Sequence, residues 1–219
     1  MVFRPSSHRQ PTLARRRALL QAAVEVIGER GVGKTTHRAV AARAGLPLAT
    51  TSYFFSSLDE LILAALHEYT QELIKRMEGI TALVTAGRLT ADAAVERFAA
   101  LITAVPAAQS GAQFEIYLEI RRRPELAEEA RKLLQTFERL AQQALVAAGA
   151  EPSHEAARAL VALADGFTLQ RLTWPRGIAD HRALATGLRA LLRAFGAQTN
   201  GDRDGAPTTA RGGDRVNAT

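Results

Sequence analysis

Residues Gly28 to Thr35 read Gly-Glu-Arg-Gly-Val-Gly-Lys-Thr and satisfy G-x-x-x-x-G-K-[ST], the spacing of a phosphate-binding loop. In a nucleotide hydrolase the backbone N–H groups of such a loop cradle phosphates. The Lys reaches the terminal oxygens and the Thr hydroxyl binds Mg²⁺. That chemistry needs a strand before the loop and a long helix after it. Here Leu13, Leu20, Ala23, Val24 and Ile27 recur at helical spacing instead, so a Gly-rich link between two helices is expected. Ala162-Leu163-Ala164-Asp165 imitates the acidic Mg²⁺ partner but lies in an Ala-rich helical stretch. With no Cys there is no thiolate metal site or Cys nucleophile, and the five His are scattered. No catalytic residue, metal site or cofactor is therefore expected, and a hydrolase using Gly28–Thr35 stands as the alternative reading.

A second stretch carries different chemistry. Residues 36–55 read as two short helices joined by a Gly-containing turn, with small residues at Ala41, Ala42 and Ala44 that let the helices cross closely. This is a helix-turn-helix pattern, whose second helix places its early residues in the DNA major groove. Thr50, Thr51 and Ser52 offer short hydroxyls to base edges, and Leu48 or Ala49 suits a thymine methyl. Lys34, Thr36, Arg38, Tyr53 and Ser57 suit phosphate contacts. Charge agrees with that assignment. Of the net +6, residues 1–56 hold nine basic against two acidic residues, a net of +7, and residues 57–219 hold 19 against 20, a net of −1. A basic head on a neutral body points to a polyanion partner, double-stranded DNA before a membrane surface. A helical interaction protein that does not bind DNA is the remaining alternative.

The elements that must position these residues are helical throughout. Ala and Leu supply 70 of 219 residues and Val plus Ile only 19, which favours helix over strand. Residues 1–11 read as a flexible basic arm. Helices are expected over about 12–30, 37–44, 48–54, 57–78, 90–104, 108–123, 125–148, 153–173 and 180–195, with Thr12, Thr36, Ser57, Ser153 and Asp180 as N-caps. The helix from 108 would end in Arg121–Arg123, cations suited to its dipole. Residues 197–219 are poor in large apolar groups and read as a disordered tail. Arg15–Arg17 before Ala18-Leu19-Leu20 is a poor secretory signal, since Gln21 and Glu25 interrupt the apolar run. No stretch approaches the ~18 apolar residues of a membrane span. The expected location is the cytoplasm.

Arg16-Arg17, Gly31, Thr36-His37-Arg38-Ala39-Val40-Ala41, Ala44-Gly45-Leu46, Tyr53-Phe54-Phe55 and Leu61 together resemble the tetracycline-repressor (TetR) family over residues 15–69. The segment from Pro47 to Tyr53 is similar to an actinobacterial subgroup with Pro-Leu-Gly-Ser-Thr-Thr-Tyr. Ala49 stands where that pattern has Gly, and Leu58 where many members carry a phosphate-contacting Lys. The resemblance implies a ligand-responsive repressor, released from a palindromic operator by a small-molecule effector. It implies DNA contacts from Arg16, Arg17, Lys34, Thr36, His37, Arg38, Leu48, Ala49, Thr50, Thr51, Ser52, Tyr53, Phe54 and Ser57.

The implied architecture is all-α, with a three-helix DNA-binding domain over 12–56. A larger effector-binding and dimerisation domain follows over 57–196, about nine helices in all. The last two helices would pair with their mates in a homodimer, and both carry apolar stripes. These run through Leu160, Leu163 and Phe167 on one and Leu184, Leu188, Leu191, Leu192 and Phe195 on the other. Phe98, Phe114, Tyr117, Phe137, Phe167 and Trp174 are the candidates to line an apolar effector pocket. Glu115 and Glu119 lie one turn apart and could bind a cationic ligand, an ion pair with Arg122 or Arg123 being the plainer use of them.

Overall fold

The computed structural model describes residues 9–120 and 127–196, and every regular element among them is helical. The helices are α1 (Arg9–Arg30), α2 (His37–Ala44), α3 (Leu48–Phe54), α4 (Leu58–Thr85), α5 (Ala91–Thr103), α6 (Ala107–Ile120), α7 (Ala127–Ala147), α8 (His154–Thr173) and α9 (Ile178–Ala194). A single 3₁₀ turn, Val32–Lys34, links α1 to α2. Most of the expected arm and the whole expected tail lie outside the described residues, as do Arg121–Arg123. None of the described helices is long and apolar enough to cross a membrane.

Local chemistry accounts for most of the boundaries. Thr36, Ser57, Thr90 and Ser153 each accept a backbone N–H from three residues on, at 3.1–3.2 Å, occupying a donor that the first helical turn leaves without an internal partner. Pro11 is compatible with an early turn of α1, where a missing N–H costs no helical bond, and the chain is already helical at Arg9, ahead of the expected start at Thr12. The long helix runs to Thr85, past the expected end at 78, because Gly79 is tolerated in its interior. The stop is Gly87 instead, at φ +66°, with the Arg88 N–H closing back on the Leu83 carbonyl at 2.9 Å. The expected cap Asp180 is not a cap. Gly177 precedes α9, and the buried Asp180 carboxylate accepts the Arg176 N–H at 2.8 Å and faces the Arg171 and Arg176 guanidinium groups.

Packing divides the interior into two main cores. The first joins Leu19, Leu20, Ala23, Val26 and Ile27 of α1 to Val40 of α2, Phe55, and Leu61, Ile62 and Ala65 of α4. It also takes Ala112 and Ile116 from α6, so the expected boundary at residue 56 falls inside continuous packing. The second core is built from α5, α7, α8 and α9 around Val95, Ala99, Leu145, Ala157 and Leu184. Ile74, Phe137 and Leu140 bridge α4 to α7 between them.

The two halves are held in register where α1 crosses α6. A Cβ added at Gly28 would lie 2.0 Å from the Ala108 carbonyl oxygen, and one at Gly111 would lie 3.2 Å from the Gly28 carbonyl oxygen. Backbone therefore meets backbone, with no side chain between to yield. Replacing Gly28 by Ala should lower stability in thermal or urea unfolding by at least the ~1–3 kcal/mol typical of overpacking. Gly33→Ala, whose Cβ would meet nothing within 4 Å, should stay within about 0.5 kcal/mol of wild type.

Candidate nucleic-acid interface and effector cavity

The turn between α2 and α3 is set by Gly45, at φ +65°, and by the Leu46 N–H bonding to the Ala41 carbonyl at 3.0 Å. Val40 and Ala41 are buried beneath it. On α3 the structure separates residues that look alike in sequence. Leu48, Ala49, Ser52 and Tyr53 are exposed, Tyr53 by 78%, and Thr50 is half-buried. Thr51 is fully buried, its hydroxyl donating to the Leu48 carbonyl at 2.7 Å, so the expectation that it faces a base is corrected. Phe54 is half-buried against the first core and meets the Tyr53 ring edge-on at 5.0 Å.

The other expected contacts surround this helix in several ways. Lys34, Thr36, Arg38 and Ser57 are exposed, although the Thr36 and Ser57 hydroxyls are engaged as caps. Arg16 lies over the Phe55 ring at 5.5 Å, and Arg17 faces Glu68 at 3.5 Å. His37 is half-buried, with a buried Nδ1 that has no hydrogen-bond partner.

Charge on this face is arranged by one residue that sequence reasoning passed over. Arg43 binds both acidic residues of the first 56, donating to Glu25 at 3.2 Å and to Glu29 at 2.9 Å. It pins α2 to α1 and removes both carboxylates from the field seen by a polyanion. Arg15, Arg30, Lys34 and Arg38 remain exposed around the head. The Glu29 carboxyl is held below its ordinary range, chiefly by the hydrogen bond from Arg43.

The Gly28–Thr35 segment does not form a phosphate loop. Gly28 is inside α1, and Thr35 is buried with its hydroxyl donating to the Gly31 carbonyl at 2.9 Å. A Mg²⁺ ion could not reach that oxygen without unfolding the turn.

A cavity of about 130 Å³ lies in the body. Its walls come from α4, α5, α7, α8 and α9, and Gln113 enters from α6. Of the expected aromatic lining, Phe98 and Phe137 are present. Phe114 and Tyr117 instead pack edge-on against each other at 6.0 Å, and Phe167 packs on the second core. Trp174 is 66% exposed beside α8, with the Arg176 guanidinium 4.0 Å from its ring centre. Tyr69, Leu73 and Val105 line both the cavity and a groove that runs beside Arg17 and Gln21 of α1. The cavity and the groove beside α1 therefore share part of a wall.

The polar groups of the cavity were missed or misassigned in the sequence. Asp165 drew notice only as an imitation of a Mg²⁺ ligand, yet it lines the cavity beside Val161 and Thr168, its i−4 and i+3 neighbours. That spacing was the available signal. Gln113 Nε2 donates to Tyr117 at 3.0 Å and approaches Asp165 at 3.5 Å. Burial pushes the Asp165 carboxyl up to about 6 and the Tyr69 hydroxyl up to about 12.

The stripes on the last two helices divide in the same fashion. Leu160, Leu184, Leu188 and Leu192 are buried within the protomer's second core, while Leu163, Phe167, Leu191 and Phe195 are half-buried at its margin. Leu169 and Ile178 are exposed nearby.

Comparison with known proteins bears directly on this architecture. Residues 19–65 match the family model described as bacterial regulatory proteins, tetR family. Residues 88–197, half of the chain, match the tetracyclin repressor-like C-terminal domain. The chain belongs to the TetR family. Members are DNA-binding transcription regulators and not enzymes. The nicotine-responsive transcriptional repressor HdnoR of Paenarthrobacter nicotinovorans is a TetR relative 30% identical over 169 residues, 75% of this chain and 87% of its own. A TetR-family structure from Streptomyces coelicolor is 30% identical, with TM-score 0.60 over 80% of this chain and 97% of that one. The multidrug binding protein EbrR, solved with imidazole, is 29% identical, with TM-score 0.59 over 87% and 97% of the two chains.

In this TetR head, the Arg43 tie gives a pH-dependent expectation. Because the folded Glu29 pKa is depressed, the stabilisation is present above the ordinary value of 4.5 and is lost as pH falls through the lower folded value. Arg43→Met should destabilise the protein near neutral pH, and the gap from wild type should close below that value in urea melts run across pH.

Proposed function

We propose that this TetR-family regulator is a repressor acting in the cytoplasm, that it binds a near-palindromic operator as a homodimer, and that a small molecule in the α4–α9 cavity releases it. The observation that carries the DNA-reading half is the exposed row Leu48, Ala49, Ser52 and Tyr53 on α3, flanked by exposed Lys34 and Arg38. Thr50 and Ser52 read base edges, Leu48 and Ala49 meet a thymine methyl, and Tyr53, Lys34, Arg38, Arg16 and Arg17 position the helix on phosphates. Thr36, His37, Phe54 and Ser57 hold this surface in shape from α2, α3 and the start of α4, with Thr36 and Ser57 able to present backbone N–H groups to phosphate.

Two subunits would pair through the half-buried margin of Leu163, Phe167, Leu191 and Phe195, which leaves the inner leucines to the protomer. A twofold dimer then spaces its α3 helices to meet half-sites one turn, ~34–36 Å, or a multiple of it apart. Release follows from shared walls. α4 contributes Leu61 and Ala65 to the head's core and Leu73 and Met77 to the cavity, and α6 touches both Gly28 and the cavity. A ligand that fits one spacing of these helices better than another shifts the population of the DNA-competent form. The relatives named as nicotine-responsive and as multidrug-binding support a small-molecule effector for this chain.

Selection of bound fragments from random duplex DNA, followed by titration of variants, tests the reading. Tyr53→Ala should weaken all sites alike, and Lys34→Ala should lower the salt-dependence slope by about one. Thr50→Ala should alter preference at one base position by ~1–3 kcal/mol. Thr51→Ala should leave preference intact and act through stability, about 1 kcal/mol for its lost hydrogen bond. A base-preference change confined to Thr51→Ala would overturn this placement of α3.

A further inference from the structure

The inference below rests on the cavity being the effector site and concerns what kind of molecule fills it. Among the described residues that line it, Asp165 is the sole charged one; no Lys, Arg or His faces the space. α5, α7 and α9 contribute only apolar side chains. The hydroxyls of Thr81 and Thr168 donate to the Met77 and Ala164 carbonyls of their own helices, at 3.1 and 2.8 Å. Gln113 reaches Asp165 only at 3.5 Å while donating to Tyr117 at 3.0 Å. The half-buried Asp165 carboxylate thus faces an apolar space with one long amide contact among the described residues. To the extent that the carboxylate is desolvated, this arrangement costs free energy unless a cation or proton neutralises it.

We infer that the effector is an organic monocation, a protonated amine on a compact apolar body, with Asp165 as its counter-ion. An ammonium at the Asp165 end gains a charge-assisted hydrogen bond and relieves the uncompensated carboxylate. Met77, Phe98 and Phe137 offer a soft sulfur and aromatic surfaces to the rest of the molecule, including faces that attract cations. The volume of about 130 Å³ is of the order of the ~150 Å³ cavities that accept benzene, which limits the apolar body to about a single ring. An anion would meet Asp165 with no positive group among the described lining residues to offset it. Among the described residues, the titratable groups facing Asp165 are Tyr69 from α4 and Tyr117 from α6, both raised by burial and neutral through the physiological range. Protonation of Asp165 itself, centred at about 6 in the empty cavity, therefore competes with cation binding as pH falls.

The test uses the full-length protein and three probes of matched shape, benzylamine, benzyl alcohol and benzoate, titrated by calorimetry. Near neutral pH benzylamine should bind at least about tenfold tighter than benzyl alcohol, with benzoate showing no heat of binding. Asp165→Asn should erase that preference while leaving benzyl alcohol within about twofold of wild type, which shows the cavity intact. Benzylamine affinity should weaken by about tenfold per pH unit below the Asp165 pKa, and the alcohol's should not. The inference is overturned if the alcohol binds as well as the amine, if the preference survives Asp165→Asn, or if none of the three binds at about 10 mM. Operator release is read separately by anisotropy of labelled DNA. Amine binding that depends on Asp165 yet leaves DNA bound would remove the effector role proposed above and keep the charge preference. Release by neutral molecules alone would do the reverse.

Discussion

The crossing of α1 over α6 governs the rest of this molecule. Gly28 and Gly111 bring two helix backbones together, and the Ala108 carbonyl occupies the space a Cβ at Gly28 would take. Side chains can change rotamer to absorb a shift, but main-chain atoms in contact cannot. The DNA-facing head is consequently not a bead on a linker. Its core takes Ala112 and Ile116 from the body, and its first helix runs beside the groove that shares Tyr69 and Leu73 with the cavity. A displacement of α6 would press on α1 through this backbone contact.

Charge is partitioned with similar economy. Arg43 gathers Glu25 and Glu29, so the two acidic residues of a strongly basic segment brace α2 against α1 and do not oppose a phosphate backbone. On the body, Arg189 from α9 does comparable bracing work, pairing with Asp92 at 2.5 Å and with Glu96 of α5. The interior keeps Asp165 apart from every such arrangement. Cations hold surface elements together here, and among the described residues none lines the cavity beside the Asp165 carboxylate.

How far the sequence could be read depended on whether a decision was local. The limits of α2 and α3 were legible because Thr36, Gly45 and Pro47 act within a few residues of themselves. The end of α4 was misread because Gly79 and Gly87 look equivalent, and only the positive φ and the closing bond at Gly87 distinguish them. Asp180 has the composition of a cap, yet Arg171 and Arg176 draw it into a buried ion cluster. Thr50 and Thr51 differ by one helical step of about 100°. That rotation leaves one half-buried and the other sealed under α3.

The sequence by itself determined an all-helical chain, a basic helix-turn-helix head and membership in a family of DNA-binding regulators, because helix propensity, capping and charge add up residue by residue. Tertiary structure alone decided which members of an apolar stripe turn inward. Leu184 and Leu188 are sealed in the protomer while Leu191 and Phe195 stay at its margin, and Trp174, a plausible pocket residue by type, stands in solvent. It also decided that one aspartate on α8 should face an apolar cavity with no cation among the described residues that line it. Periodicity gives each helix a face, but only the packing of five other helices around α8 determines what that face meets.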